Sequence, residues 1–125
     1  MSSWLSGARS RRFGKNVAGL SAKFVIAGTI RPLTPQIDLT LYRAAQEALT
    51  NVGKHAHATS VDLHLDYRNE RLVRLRIKDD GLGSVNSEGG FGLLGVRERV
   101  QLLNGAVHVR AGAGEGFSLE VELPA

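Results

Sequence analysis

Cysteine is absent from all 125 residues. That excludes disulfides, thiolate nucleophiles and cysteine-based zinc or iron–sulfur centres, so any metal must be held by oxygen or imidazole. No apolar run approaches the roughly 18 residues of a membrane-spanning helix. Acidic side chains are missing from residues 1–37, where Arg9, Arg11, Arg12, Lys15, Lys23 and Arg31 give a charge of +6. The remaining residues hold ten Lys or Arg and all twelve Asp or Glu, a net −2. The overall +4 therefore describes a basic leader on a slightly acidic body, not an evenly basic protein. Trp4, Leu5 and Phe13 are too scattered for the apolar stretch of a signal peptide. There is also no G-x-x-x-x-G-K-[ST], which excludes a P-loop as the phosphate site. With 42% hydrophobic and 22% charged residues, the composition is that of one globular domain.

What is present is strongly periodic. Thr34 can cap a helix and Pro35 fits its first position. Ile37, Leu41, Ala44, Ala45, Ala48, Leu49 and Val52 then recur at helical spacing, predicting one apolar face and an end near residues 55–58. Val61, Leu63, Leu65 and Tyr67 alternate with polar residues, as do Val73, Leu75 and Ile77, predicting an antiparallel hairpin. Residues 81–95 contain six glycines, a density that predicts a loop. A second helix is expected over Val96–Leu103, stopped by Asn104-Gly105. Two strands around 107–111 and 117–123 close the chain, residues 23–30 form another, and residues 4–13 form a weak helix. The expected architecture is an α/β (α+β) sandwich, with helices on one face of a mixed, mostly antiparallel sheet.

Three segments can carry chemistry. Glu47, Asn51, Lys54 and His55 fall on one stripe of the first helix. Carboxylate and amide oxygens suit Mg²⁺ completed by substrate phosphates, and a lysine can meet a phosphate as a point charge. On spacing alone, a solvated helix face accounts for the same residues. In Asp79-Asp80-Gly81-Leu82-Gly83, counting by twos from Val73 puts Asp79 on the buried face and Asp80 outside. A buried carboxylate needs a partner; an exocyclic amine such as that of adenine would serve, as would the backbone of the following turn. Finally, Gly90-Phe91-Gly92-Leu93-Leu94-Gly95 precedes the second helix, where glycine N–H groups and a helix N-terminus can cradle an anion. A flexible surface loop is the plainer reading of that segment.

Taken together, these segments carry a family resemblance. Gln46-Glu47-Ala48-Leu49-Thr50-Asn51-Val52-Gly53-Lys54-His55-Ala56 resembles the N box of the GHKL ATPases, in the wording of sensor histidine kinases that pair with LuxR-type response regulators. Asp79-x-Gly81-x-Gly83 resembles their first glycine box, and Gly90-Phe91-Gly92-Leu93-Leu94-Gly95-Val96-Arg97-Glu98-Arg99 their second. The resemblance covers residues 23–125 and implies a Bergerat fold with a glycine-rich ATP lid. It implies Asn51 as the Mg²⁺ ligand, Glu47 orienting it through water, and Lys54 and His55 near the phosphates. Asp79 would bind the adenine amine, Gly81 and Gly83 would let the backbone approach the base, and Gly90, Gly92, Leu93 and Gly95 would cover the phosphates. Phe117 stands where the family usually has the threonine of Gly-x-Gly-Thr, removing the hydroxyl expected there.

The implied function is the ATP-binding catalytic domain of a sensor histidine kinase, residues 23–125, with residues 1–22 as a basic linker remnant toward a separate dimerisation and phosphoacceptor domain. The domain would bind Mg-ATP and donate the γ-phosphoryl to a histidine there, chemistry made of positioning and charge neutralisation. Cytoplasmic placement, a homodimeric parent kinase that is membrane-anchored in one version of this reading, a LuxR-type regulator reached through that parent, and no nucleic-acid partner follow from it. The alternatives are an anti-sigma-factor serine kinase of the same fold, and a non-enzymatic nucleic-acid module using the basic leader, whose binding would collapse with salt.

Overall fold

A computed structural model describes the backbone of residues 11–15, 21–55, 60–80, 90–112 and 116–125, and the side chains of 22–50, 60–80, 93–110 and 116–125. The elements run β1 (Arg11–Lys15), β2 (Ser21–Ala27), α1 (Pro35–His55), β3 (Ser60–Asp66), β4 (Leu72–Asp79), α2 (Gly90–Leu102), β5 (Ala106–Gly112) and β6 (Gly116–Pro124). The strands form one sheet in the order β1-β2-β3-β4-β6-β5. Only β2 and β3 pair in parallel; the other four pairings are antiparallel. This is the expected mixed sheet.

Alternation explains its two faces. On one, Val61, Leu63 and Leu65 of β3, Val73, Leu75 and Ile77 of β4, and Leu119, Val121 and Leu123 of β6 are buried. Against them lie Leu41, Ala44 and Ala48 of α1 and Leu93, Val96 and Val100 of α2. Alanine at successive turns lets α1 lie close to the sheet, and each large side chain taken from water contributes about 1.5–3 kcal/mol. The opposite face is polar, and its charges pair across the register. Arg74 sits opposite Glu122 and Arg76 opposite Glu120, with Nε–H donating at 2.8 and 3.0 Å respectively.

Both ends of the helices follow local rules. The Thr34 hydroxyl oxygen accepts from the Ile37 N–H at 3.4 Å, the expected cap. At the end of α2, Gly105 N–H reaches the Val100 carbonyl at 2.9 Å and Asn104 N–H the Gln101 carbonyl at 3.0 Å, a Schellman closure. Asn104, at φ 63°, takes the left-handed position. Gly105 serves a different need: a Cβ there would overlap the Glu122 carbonyl oxygen and meet Leu123 Cδ2 at 2.7 Å.

Three expectations are corrected. Residues 11–15 are not the end of a helix but the edge strand β1, with Arg12 opposite Lys23. The second helix begins at Gly90 rather than Val96, because Leu93 and Val96 are both buried in the core and their packing outweighs the low helix propensity of Gly92 and Gly95. Arg31, counted with the basic leader, is part of the fold: its guanidinium donates to the carbonyls of Tyr67, Leu72 and Ala125 at 2.9, 3.0 and 3.3 Å. It also lies over the Tyr67 ring, 5.6 Å from the centroid.

Chain direction decides which end collects the candidate residues. β2 and β3 run the same way, so the crossover helix α1 runs against both. β4 opposes β3, β6 opposes β4, and β5 opposes β6. α2 enters β5 through the tight Asn104-Gly105 turn and so runs opposite to β5 and antiparallel to α1. One end of the molecule therefore gathers the C-terminus of α1, Asp79, the start of α2 and the start of β6. Arg31, Tyr67 and the Asn104-Gly105 turn lie at the other.

Candidate functional site

Asp79 is the last residue of β4 and is only 5% exposed, whereas Asp80 is exposed. The period of two therefore carries through to Asp79 and separates the two acids. Asp80 has a local role, its Oδ1 accepting from the Ser60 N–H at 3.0 Å where β3 begins. Asp79 Oδ1 accepts from the Phe117 N–H at 3.1 Å, a buried bond between neighbouring strands. Position 117 thus contacts the carboxylate through its backbone, which needs no threonine hydroxyl. The β4–β6 register, Lys78↔Ser118, extended by one residue brings Asp79 opposite Phe117.

On α1, Glu47 is half-buried and borders a cavity of about 260 Å³ with Thr40, Arg43, Gln46, Gly95, Val96 and Arg99. α1 and α2 form its walls. Thr40 is buried at 1% exposure, and its hydroxyl donates to the Gln36 carbonyl at 2.7 Å. Asn51 lies one turn beyond Glu47, with Lys54 and His55 further along the same helix; their side chains lie outside the described residues, as do Gly81 and Gly83. Gly90, Gly92 and Gly95 belong to the first turns of α2, so Gly95 is inside the helix and not at its N-terminus. Leu93 packs in the core at 1% exposure, which leaves its backbone, not its side chain, for any ligand. Spacing arguments missed Thr40, Arg43 and Arg99, because only the packing of two helices brings them together.

Among the described residues, no group of three His, Asp or Glu side chains could hold a metal, and no helix is long and apolar enough to cross a membrane. What the site end offers is a buried carboxylate on a strand terminus, with a second carboxylate, Glu47, on the helix that ends there; Arg43 and Arg99 line the cavity further from that end. A buried carboxylate of this kind can accept a hydrogen bond from a donor on a ligand.

A mixed sheet covered by helices on one face defines an α/β sandwich domain. Residues 36–125 match the family described as Histidine kinase-, DNA gyrase B-, and HSP90-like ATPase, and the chain belongs to it. Among curated proteins, the chain is 31% identical over 109 residues to the signal transduction histidine-protein kinase/phosphatase DegS of Brevibacillus brevis, covering 85% of this chain and 28% of that protein. It is 42% identical over 88 residues to the histidine-protein kinase/phosphatase UhpB of Salmonella typhimurium, covering 69% and 17%. The sensor histidine kinase ComP of Bacillus subtilis is 38% identical over 90 residues, covering 68% and 12%. The chain thus spans less than a third of the length of these relatives. Full-length ShkA in complex with AMPPNP superposes with a TM-score of 0.70 at 21% identity, covering 86% of this chain and 26% of that one. The histidine kinase domain of the Erythrobacter litoralis EL346 blue-light activated kinase gives 0.64 at 24%, covering 87% and 52%. At these identities the two structures speak for the fold. All three of these curated relatives carry histidine-kinase names.

Proposed function

We propose that this chain is the catalytic part of a sensor histidine kinase. It binds Mg-ATP and donates the γ-phosphoryl to a histidine on a separate dimerisation domain of a homodimeric, cytoplasm-facing parent that signals to a LuxR-type regulator. The observation that carries this reading is Asp79. Its carboxylate is buried at the site end and held by the Phe117 N–H, an arrangement suited to accept a hydrogen bond from the exocyclic amine of adenine and to repel the carbonyl oxygen that guanine has there.

In this reading Gly81 and Gly83 bring the backbone to the base, and Lys54 and His55 lie near the phosphates with Gly90, Gly92 and the backbone of Leu93 and Gly95. Asn51 is the metal ligand and Glu47 its outer partner. Glu47, an oxygen donor on the cavity wall, fits Mg²⁺, which takes one or two protein oxygens and completes its shell with water and phosphate. When bound, the ion neutralises charge on the transferring phosphoryl group. The protein's own share is orientation of base and phosphates.

The test is calorimetry with Mg-ATP and Mg-GTP on the wild type and on Asp79→Asn. An amide oxygen can still accept from Phe117 N–H, so the variant keeps the strand contact while losing the charge. Wild type should prefer ATP and the variant should lose most of that preference. Equal binding of the two nucleotides by the wild type, or unchanged preference in the variant, overturns the adenine assignment. Asn51→Ala should weaken Mg-ATP binding, and unaltered binding would remove it as the metal ligand.

A further inference from the structure

Consecutive aspartates stand at the end of β4, and the nucleotide reading uses only the first. Alternation sends their side chains to opposite faces of the sheet, so Asp79 is buried and Asp80 exposed. Successive residues of a strand also turn their backbone groups toward opposite neighbours, and the carboxylates follow that division. Asp79 Oδ1 accepts from Phe117 N–H on the β6 side at 3.1 Å. Asp80 Oδ1 accepts from Ser60 N–H on the β3 side at 3.0 Å. The end of β4 is thus held on both flanks by the side chains of adjacent residues.

The β3 side departs from an ordinary ladder. The register Val61↔Asp79, extended by one residue, puts Ser60 opposite Asp80, and a regular hydrogen-bonded antiparallel pair exchanges both backbone N–H groups. Half of that exchange is present, from Asp80 N–H to the Ser60 carbonyl at 3.2 Å. In place of the other half, Ser60 N–H goes to the Asp80 carboxylate rather than to the Asp80 carbonyl. An aspartate side chain that competes with the backbone in this way favours the end of a strand, and β4 stops at Asp79. Asp80 therefore keeps β4 attached to β3 just beyond Asp79 and lets the chain leave the sheet there. Ser60 also fixes what precedes it. α1 ends at His55 and β3 begins at Ser60, so the same bond anchors the return of the chain from the helix that carries Glu47, Asn51, Lys54 and His55.

We propose that Asp80 is a positioning residue for nucleotide recognition, holding Asp79 in line with the base by closing the β3 side of the β4 end. The proposal rests on the nucleotide-binding reading above, in which Asp79 meets the adenine amine and Asp80 acts only through its neighbour. What Asp80 supplies is an acceptor for one backbone N–H, so an amide oxygen can replace its carboxylate. Without that acceptor the β4 end gains freedom on one flank and the Asp79 carboxylate is less well aimed. Aim governs both halves of the discrimination, attraction to an amine and repulsion of a carbonyl oxygen.

The experiment is calorimetry with Mg-ATP and Mg-GTP on wild type, Asp80→Ala, Asp80→Asn, Asp79→Asn and the double variant Asp79→Asn/Asp80→Ala. Asp80 is exposed, so its variants should fold, and melting temperatures without nucleotide are measured alongside. Asp80→Ala should weaken Mg-ATP about threefold to tenfold, the range expected for one hydrogen bond, and Mg-GTP by less, so that the preference for ATP shrinks. Asp80→Asn should stay within about twofold of wild type, since its amide oxygen still accepts. In the Asp79→Asn background, Asp80→Ala should change the preference no further, the non-additivity of residues that act together. A preference unchanged in Asp80→Ala overturns the proposal, even with a lowered melting temperature, because a brace for the fold alone would behave that way. Asn as damaging as Ala also overturns it, by making charge and not the acceptor the active property. Failure of the wild type to prefer Mg-ATP overturns the nucleotide reading itself, and this proposal with it.

Discussion

Two glycines near α2 predict opposite outcomes for the same substitution. Gly95 lies inside the helix with nothing within 4 Å of its missing Cβ, whereas a Cβ on Gly105 would overlap the Glu122 carbonyl oxygen. Gly95→Ala should therefore recover the helix-propensity deficit of glycine, about 0.8–1 kcal/mol. Gly105→Ala meets the Glu122 carbonyl oxygen of strand β6, backbone held between β4 and β5 that cannot rotate clear, as well as Leu123 and Val100, and should cost about 1–3 kcal/mol. For a domain near 100 residues each kcal/mol moves Tm by about 4–8 °C. The two variants should thus be separated by at least about 7 °C in thermal denaturation without nucleotide, with wild type between them. A loss of stability in Gly95→Ala would show that the helix does not run through this residue as described. A neutral Gly105→Ala would show that β6 does not approach so closely.

Two further outcomes follow from charge and burial. The Asp66 carboxyl is held at a pKa of about 2, chiefly by side-chain hydrogen bonds from Arg68. Its folded pKa lies below the unfolded value, so its stabilising effect is complete above about pH 4 and lost as pH falls through 2. Asp66→Asn should lower the urea midpoint at pH 7 by a small amount, because Arg68 is 73% exposed and the pair is screened, and should match wild type near pH 2; a constant gap across that range would refute the assignment. Among the described residues the buried Tyr67 hydroxyl has no hydrogen-bond partner, and burial pushes its pKa up. Tyr67→Phe should leave stability unchanged or raise it by about 1 kcal/mol; a loss of that size would reveal a bonded hydroxyl.

The strands were legible wherever side chains alternate. Val73, Leu75 and Ile77 fix a face, and continuing the count distinguishes buried Asp79 from exposed Asp80 without any tertiary information. α1 was legible because cap, proline and apolar stripe agree. β1 was not, since Arg11–Lys15 has no apolar alternation and owes its conformation to backbone pairing with β2. The start of α2 was misread for a related reason: glycine composition describes local preference, whereas burial of Leu93 and Val96 against the sheet decides the conformation. At position 117 the contact with Asp79 comes from the backbone N–H, which any residue other than proline supplies and which residue identity therefore could not reveal. The arginine pair could not be found in the sequence at all, because no spacing rule connects residues on two helices that meet only after the sheet has formed.

The bond from Phe117 N–H to Asp79 Oδ1 turns one backbone amide into a reporter. Its proton senses the electron density on a carboxylate that sits where β4 ends, so protonating that acid, amidating it or engaging it with a donor must shift the amide resonance and its rate of exchange with deuterated solvent. A single ¹⁵N-labelled phenylalanine at position 117 would then follow events at the carboxylate without a dye, an added tag or a change to any side chain at the site.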